Sequence, residues 1–394
     1  MLFQTLDDKV NCVGIYQAGS ITYDKLPVGL TKTWGYSVSL SGQPIEYASL
    51  YAGGQTLEEV CPPELKEEWT RISKKMKSFI RALTMAKISL KDVCVFQMIP
   101  EVFLAEWCEI KNKISTYVFE NYEKPANYDF LLRLTEVTER IKYQELNIDP
   151  SALRNTLASY RSRAFLKKLG RIDPFIYYNV FGTITGRLTT IPGSFPILTM
   201  DKKHRSVVKP KNDFFVELDF NAAELRTFIS LSGQEQPQQD LHTWNIENVF
   251  RGIGTREEAK TRLFAWLYNP NSEDYLLNRT YNREKVLNSY WVDGVINTHF
   301  GRKIESDAHH ALNRLVQSTS SDLFLRQMIK VDEILKSYKS FISFSVHDSL
   351  VIDLEEAEKG MIPRLVEVFG NTVFGEYLVN VAAGRDYGNM RKIL

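Results

Sequence analysis

Two aspartates placed where apolar strands end constrain this chain most. Phe214 to Leu218 is a short apolar stretch with Asp219 at its end. Further on, Ile342, Phe344 and Val346 alternate with serines, His347-Asp348-Ser349 follows, and Leu350, Ile352 and Leu354 resume the alternation. Period-two alternation marks a half-buried strand, so this second segment reads as a hairpin or sharply bent strand whose turn presents His347 and Asp348. A carboxylate held in such a setting is costly unless it is paired or bound to metal. Two of them brought together repel, and hard oxygen ligands then favour Mg²⁺ between them. A pair of ions about 4 Å apart can activate an attacking hydroxyl and stabilise the departing oxygen of an in-line phosphoryl transfer. Sequence alone does not bring Asp219 and Asp348 together, and each taken singly is also an ordinary turn or capping residue.

A second pattern is sharper. Arg256, Lys260, Phe264 and Tyr268 fall four apart, so on a helix they stay neighbours along one slowly drifting stripe. The stripe begins with two cations and ends with two aromatic rings. Such a face suits a triphosphate at one end and a stacked base at the other. The plainer alternative is a half-buried helix with snorkelling basic residues. Basic residues also cluster at Arg161, Arg163, Lys167, Lys168 and Arg171, and again at Lys202, Lys203, His204, Arg205, Lys209 and Lys211. Each cluster is either a solvated face or a phosphate-binding one.

The 394 residues suffice for two or three domains with their own cores, and 44% hydrophobic with 25% charged residues is ordinary globular composition. A formal net charge of +1 neither demands nor excludes nucleic acid, because phosphate binding depends on where the cations lie. No run of eighteen apolar residues occurs and the amino terminus lacks a basic-then-apolar targeting segment, so no membrane role is expected. Cys12, Cys61, Cys94 and Cys108 show neither disulfide nor zinc spacing, which fits reduced thiols in a cytosolic setting. Residues 11 to 52 read as a few short strands, and helical stripes run through Trp69, Ile72, Met76, Phe79 and Leu83 and through Phe103, Trp107, Ile110, Ile114 and Val118. Lys124-Pro125-Ala126-Asn127 is the best boundary, with another helix following through Leu131, Leu134, Val137 and Ile141. Residues 1–127 carry no assignable chemistry.

Four stretches in order resemble the polymerase domain of the bacterial and phage family A DNA polymerases. Thr185-Gly186-Arg187-Leu188-Thr189 is similar to the family's Thr-Gly-Arg-Leu-Ser element, and Asp219-Phe220-Asn221-Ala222-Ala223-Glu224-Leu225-Arg226 to its first catalytic motif, Asp-Tyr-Ser-Gln-Ile-Glu-Leu-Arg. Arg256 to Tyr268 keeps the spacing of the fingers helix, and Val346-His347-Asp348-Ser349 resembles the second catalytic motif, Val-His-Asp-Glu. With Asn313 and Gln317 the resemblance covers residues 128–394. It implies an α+β right hand: an antiparallel palm sheet, helical fingers over about 240–300, and a reduced thumb.

The resemblance also implies roles. Asp219 and Asp348 would bind two Mg²⁺ ions, for which Mn²⁺ can substitute. Lys260 would contact the triphosphate near the scissile bond, with Arg256 and His242 on the outer phosphates. Phe264 would pack beside the incoming deoxynucleotide and Tyr268 near the templating base. Glu224 would fill the space near the sugar's 2′ carbon and so reject a ribose, and it disfavours an RNA-synthesising relative. Arg187, Asn313, Gln317 and His347 would touch the primer-template duplex beside the primer end, joined by Arg205.

Several positions depart from the family pattern. Ser349 replaces the glutamate after Asp348, Ala222 a glutamine and His309 an arginine, and Ile191-Pro192-Gly193-Ser194-Phe195-Pro196 stands where an Asn/Gln-rich segment is usual. Thr185 follows soon after Glu145-Leu146-Asn147-Ile148-Asp149, which leaves little room for a thumb, and the fingers are abbreviated. Low processivity, raised by a partner subunit, is the expectation. No Asp-x-Glu pair occurs in residues 1–127, so these could be a degraded exonuclease remnant, with editing absent or left to a partner protein. The competing expectations are a nucleic-acid-binding relative without catalysis and an RNA-making polymerase. The cell would be bacterial or phage-infected, with an organellar setting also open.

Overall fold

The computed structural model describes residues 1–7, 14–23, 25–88, 93–156 and 158–393. Two compact units divide the chain, Met1–Tyr143 and Gln144–Leu394.

In the first unit the expected helical stripes become α1 (Lys66–Met85) and α2 (Glu101–Asn121), and α3 (Tyr128–Lys142) follows. Their apolar faces meet: Trp69 stacks on Trp107 with ring centroids 5.2 Å apart, and Phe79 lies 5.1 Å from Phe103. The expected short strands include Ile15–Gln17 and Ser20–Thr22, paired with Gln4–Thr5 in one antiparallel sheet. The backbone N–H of Tyr47 donates to the Tyr128 hydroxyl at 2.9 Å, so α3 is tied into this unit. Among the described residues Cys61, Cys94 and Cys108 form no disulfide, and Cys12 lies outside the described residues.

The second unit is built on a five-stranded antiparallel sheet. Its strands are β1 (Phe214–Phe220), β2 (Phe341–Val346), β3 (Ser349–Leu354), β4 (Val379–Gly384) and β5 (Arg391–Lys392), in the spatial order β2-β3-β1-β4-β5. Phe215, Leu218, Val351, Ile352 and Val381 are fully buried, which explains why these strands read as apolar runs. Before the sheet, the chain from Gln144 to Thr185 holds one ten-residue helix, α4 (Tyr160–Leu169).

Helices cover the sheet and extend it. α5 (Ala223–Leu231) leaves the end of β1, and α6 (Leu241–Asn248) and α7 (Arg256–Tyr268) follow. The sequence Thr255-Arg256-Glu257-Glu258 starts α7 as a capping box: the Glu258 N–H donates to Thr255 Oγ1 at 3.3 Å and the Thr255 N–H to Glu258 Oε2 at 2.7 Å. Leu263, Trp266 and Leu267 form its buried face, against a core that includes Phe228, Tyr281 and Leu315. The long α8 (Ala308–Leu335) and the short α9 (Ile362–Gly370) complete the unit. Among the described residues no helix is long and apolar enough to cross a membrane.

Candidate active site

Strand β1 carries the first carboxylate. Phe215, Leu218 and Phe220 are buried, while Glu217 and Asp219, two residues apart, share one half-buried face. Asp219 faces Ser349 of β3 on one side and Asn380 of β4 on the other. Val346 pairs with Ser349, so His347 and Asp348 form a two-residue hairpin turn, with His347 in the left-handed region at φ +56°. The register therefore brings Asp348 to the end of the sheet where Asp219 sits. Of the two readings of this segment the hairpin holds, and the two aspartates far apart in sequence converge.

Their electrostatics reflect that convergence. Burial pushes the Asp219 carboxyl up to about 7, with a 3.4 Å hydrogen bond from Asn380 opposing, the Glu217 and Asp348 charges adding, and the Lys260 charge opposing. Burial also raises Asp348, against the charges of Arg187 and His347. No hydrogen bond reaches the Asp348 carboxylate from any described residue. Two half-buried, under-compensated carboxylates are a donor set that suits a hard divalent cation retaining water and substrate oxygens, Mg²⁺ or Mn²⁺. Among the described residues no three His, Cys, Asp or Glu side chains gather as a metal cluster, so these two oxygen donors stand as a pair.

The cationic end of α7 faces the same region. Lys260 is exposed and its charge is felt by Asp219 and by His242. Arg256 is engaged elsewhere: its Nε and Nη2 donate to Asp240 at 3.2 and 2.8 Å. Asp240 caps α6 by accepting from the Thr243 N–H at 2.9 Å and from Asn221 Nδ2 at 2.7 Å. Its carboxyl lies well below the usual range although burial works the other way, because Arg256, Asn221 and Thr243 all favour the charge. His242 is buried, and burial lowers its imidazole below the ordinary range against the opposing charge of Asp240. Phe264 stacks on Tyr268 at 5.7 Å and lies 6.3 Å from the His242 ring, so the stripe read from the sequence is one continuous face.

Arg187 Nη2 donates to the Glu224 carboxylate, and both charges are felt by Asp348 or feel it. Gly186 has φ +75°, and a Cβ there would sit 2.4 Å from Arg302 Nη2. Arg302 in turn forks onto the buried Asp322 at 3.1 and 2.7 Å. Asn313 and Gln317 are one turn apart on α8, and Asn313 lines a cavity of about 220 Å³ with Tyr268, Arg283 and His309. Arg205 lies 4.7 Å over the Tyr387 ring. Arg187 Nε, Arg205 Nε, His242 Nδ1, the Tyr268 hydroxyl and Asn313 Oδ1 are buried with no partner among the described residues. Orphaned buried polar atoms are rare in stable folds; those on residues singled out as ligand contacts sit beside others, such as Thr227 Oγ1 and Thr319 Oγ1, that were not.

Sequence reasoning missed three features. Glu217 hides in the strand run Phe-Phe-Val-Glu-Leu-Asp-Phe, where its spacing of two from Asp219 was the available signal. Asn221 and the fully buried Arg226 tie the turn after Asp219 to the segment before α6: Arg226 donates to the Asn221, Pro237 and Gln239 carbonyls at 2.8, 2.8 and 2.9 Å. The Arg302–Asp322 pair carries no local sequence mark at all.

No protein-family model matches the chain. Among curated proteins it is 26% identical over 297 residues to a thermostable DNA polymerase I of Thermus thermophilus, covering 62% of this chain and 35% of that protein. It is 24% identical over 283 residues to the thermostable DNA polymerase I of Thermus aquaticus, covering 59% and 33%. The chain thus spans about a third of the length of these relatives. A solved structure described as the POL domain of Pol1 from M. smegmatis, in complex with DNA primer-template and dNTP, superposes with a TM-score of 0.58 at 15% identity, covering 87% of this chain and 82% of that one. In sequence the chain is similar to part of the thermostable DNA polymerases I, and in fold it matches the POL domain of Pol1.

Proposed function

We propose that this chain is a DNA-templated DNA polymerase that extends a primer 3′ end with deoxynucleoside triphosphates. The observation that carries the reading is the register that sets Asp219 opposite Ser349 and so beside Asp348, with the Lys260 charge directed at the same point. Asp219 and Asp348 would hold divalent ions, which would supply activation of the primer hydroxyl and neutralisation of charge on the leaving oxygen. Lys260 offsets charge growing on pyrophosphate, and His242 and Arg256 hold the outer phosphates. Arg256 must exchange its Asp240 fork for the triphosphate, so Asp240 parks the guanidinium until the nucleotide arrives. Phe264 and Tyr268 offer ring faces to the incoming nucleotide and the templating base, and Glu224 excludes a 2′-hydroxyl. Arg187, Arg205, Asn313, Gln317 and His347 contact the duplex near the primer end, where the orphaned Arg187 Nε, Arg205 Nε and Asn313 Oδ1 gain acceptors or donors.

The right-hand assignment follows: the β1–β5 sheet as palm, α6 to the Trp291–Glu305 hairpins as fingers, and α4 in place of a longer thumb. A small thumb encloses little duplex, so processivity is low unless a partner subunit supplies the grip, and editing resides outside this chain. Primer extension on a DNA template with deoxynucleotides against ribonucleotides, with Asp219→Ala and Asp348→Ala controls, tests the reading. Deoxynucleotide incorporation that both substitutions abolish is expected. Incorporation of ribonucleotides at an equal rate points to RNA synthesis, and no incorporation with retained DNA binding points to a non-catalytic relative. Extension by hundreds of bases in a single binding event would remove the low-processivity part.

A further inference from the structure

Glu217 has no place in the mechanism above, yet it stands on the same face of β1 as Asp219, two residues before it. It is half-buried and makes no ion pair among the described residues. Among the described residues its one side-chain hydrogen bond comes from Ser349 Oγ, which donates to Oε1 at 2.5 Å. Ser349 is itself buried, lies opposite Asp219 in the β1–β3 register, and directly follows Asp348. Ser349 therefore touches the strand neighbour of one metal-binding candidate while being the chain neighbour of the other. A partly buried carboxylate with one hydroxyl for company and no cation is a charge left over, and such a charge is stable beside a cation that binds later.

Resting on the metal-site reading above, we infer that Glu217 is a positioning residue of the ion site. Its carboxylate holds Ser349, and through Ser349 the hairpin that carries Asp348, and adds a third negative charge around the Asp219–Asp348 pair. Position 349 is where the resembling motif has a glutamate. In this chain the carboxylate has moved across the strand pair to position 217, and the serine has become its hydrogen-bond donor. The acidic charge near the ions is kept while the residue that supplies it changes strands. Outer-sphere partners of this kind fix ligand orientation and govern affinity more than they govern folding.

The test is Mn²⁺ binding to the whole protein in the absence of nucleotide and DNA, followed by the electron paramagnetic resonance signal of the free ion. Glu217→Gln is expected to weaken binding about tenfold, and Ser349→Ala in the same direction, with unfolding temperatures near that of the natural chain. The transplant Glu217→Ser with Ser349→Glu is expected to recover affinity to within about threefold of the natural chain, which a purely structural hydrogen bond would not do. Natural affinity in both single variants, or no recovery in the transplant, overturns the inference while leaving the metal site intact. Undiminished binding in Asp219→Ala and Asp348→Ala removes the metal site itself, and the role of Glu217 with it.

Discussion

Arg187 and Glu224 are locked in an ion pair at the edge of the candidate site, the guanidinium coming from the Thr-Gly-Arg loop and the carboxylate from the first turn of α5. Glu224 is only 11% exposed, so burial lifts its carboxyl and Arg187 works against that lift. The pair fixes the direction of both side chains. Glu224→Ala removes the group proposed to meet a 2′-hydroxyl and releases Arg187 as well. Discrimination of deoxy- over ribonucleotides is expected to fall by about tenfold to 200-fold, roughly 1–3 kcal/mol. The measurement is the ratio of kcat/KM for the two sugars, and a ratio equal to that of the natural enzyme would contradict the assignment.

Gly186 makes room for the Arg302–Asp322 pair. Its φ of +75° already disfavours a side chain, and a Cβ would lie 2.4 Å from Arg302 Nη2. Gly186→Ala is expected to destabilise the protein by about 1–3 kcal/mol and to displace Arg187 with the loop. Chemical denaturation reads the first effect, and a raised KM for primer-template the second. Natural stability in this variant would mean that the loop relaxes without strain.

How much of this was legible from the sequence depended on the range of the interaction. The α7 stripe was readable because Arg256, Lys260, Phe264 and Tyr268 obey local helical spacing, and the His347–Asp348 turn because alternation resumes on either side of it. The meeting of Asp219 with Asp348 was not, since it depends on the pairing of β1 with β3, residues 129 apart in number at Asp219 and Asp348. The parking of Arg256 on Asp240 and the Arg226 bonds to Asn221 and Gln239 were equally invisible, because loop conformation decides them. In the first unit the helices were readable for the same local reason. The contact boundary at Tyr143 was not, because Tyr128 is tied to Tyr47 by a single hydrogen bond across distant chain.

Asp219 should make the metal-free protein pH-sensitive. Its folded carboxyl titrates at about 7 against an ordinary 3.8, so the folded state holds a proton that the unfolded chain has released. Stability from this group is therefore greatest below the unfolded value and declines as pH rises towards the folded one, with no further change above it. In a chelator, the stability of the natural chain relative to Asp219→Asn is expected to fall from about pH 4 to pH 7 and then level off. Mg²⁺ at pH 8 is expected to raise the Tm of the natural chain and not that of Asp219→Asn. A flat difference across the window would place Asp219 in a more solvated setting than its burial implies.

The two basic clusters read separately in the sequence are carried by elements that pack together within the second unit. Phe165 of α4 stacks on His204 at 4.6 Å, and Ser162 Oγ lies 3.2 Å from His204 Nε2, so α4 is pinned beside the Lys202–Val207 turn. Arg161, Arg163, Lys167, Lys168, Lys202 and Lys203 are all exposed, and Lys203 pairs with Asp201 at 3.4 Å. Cations so arranged attract a phosphate backbone through counterion release, and each phosphate contact contributes about 0.9 to the slope of log K against log salt on duplex DNA. Lys167→Gln with Lys168→Gln is expected to weaken primer-template binding and to lower that slope by about 1–2, with kcat at saturating DNA near that of the natural chain. Fluorescence anisotropy across a salt series measures the slope. An unchanged slope would put the duplex on another face and leave α4 as a solvated helix, whereas a lowered slope with intact kcat would make this short helix part of the grip on the duplex.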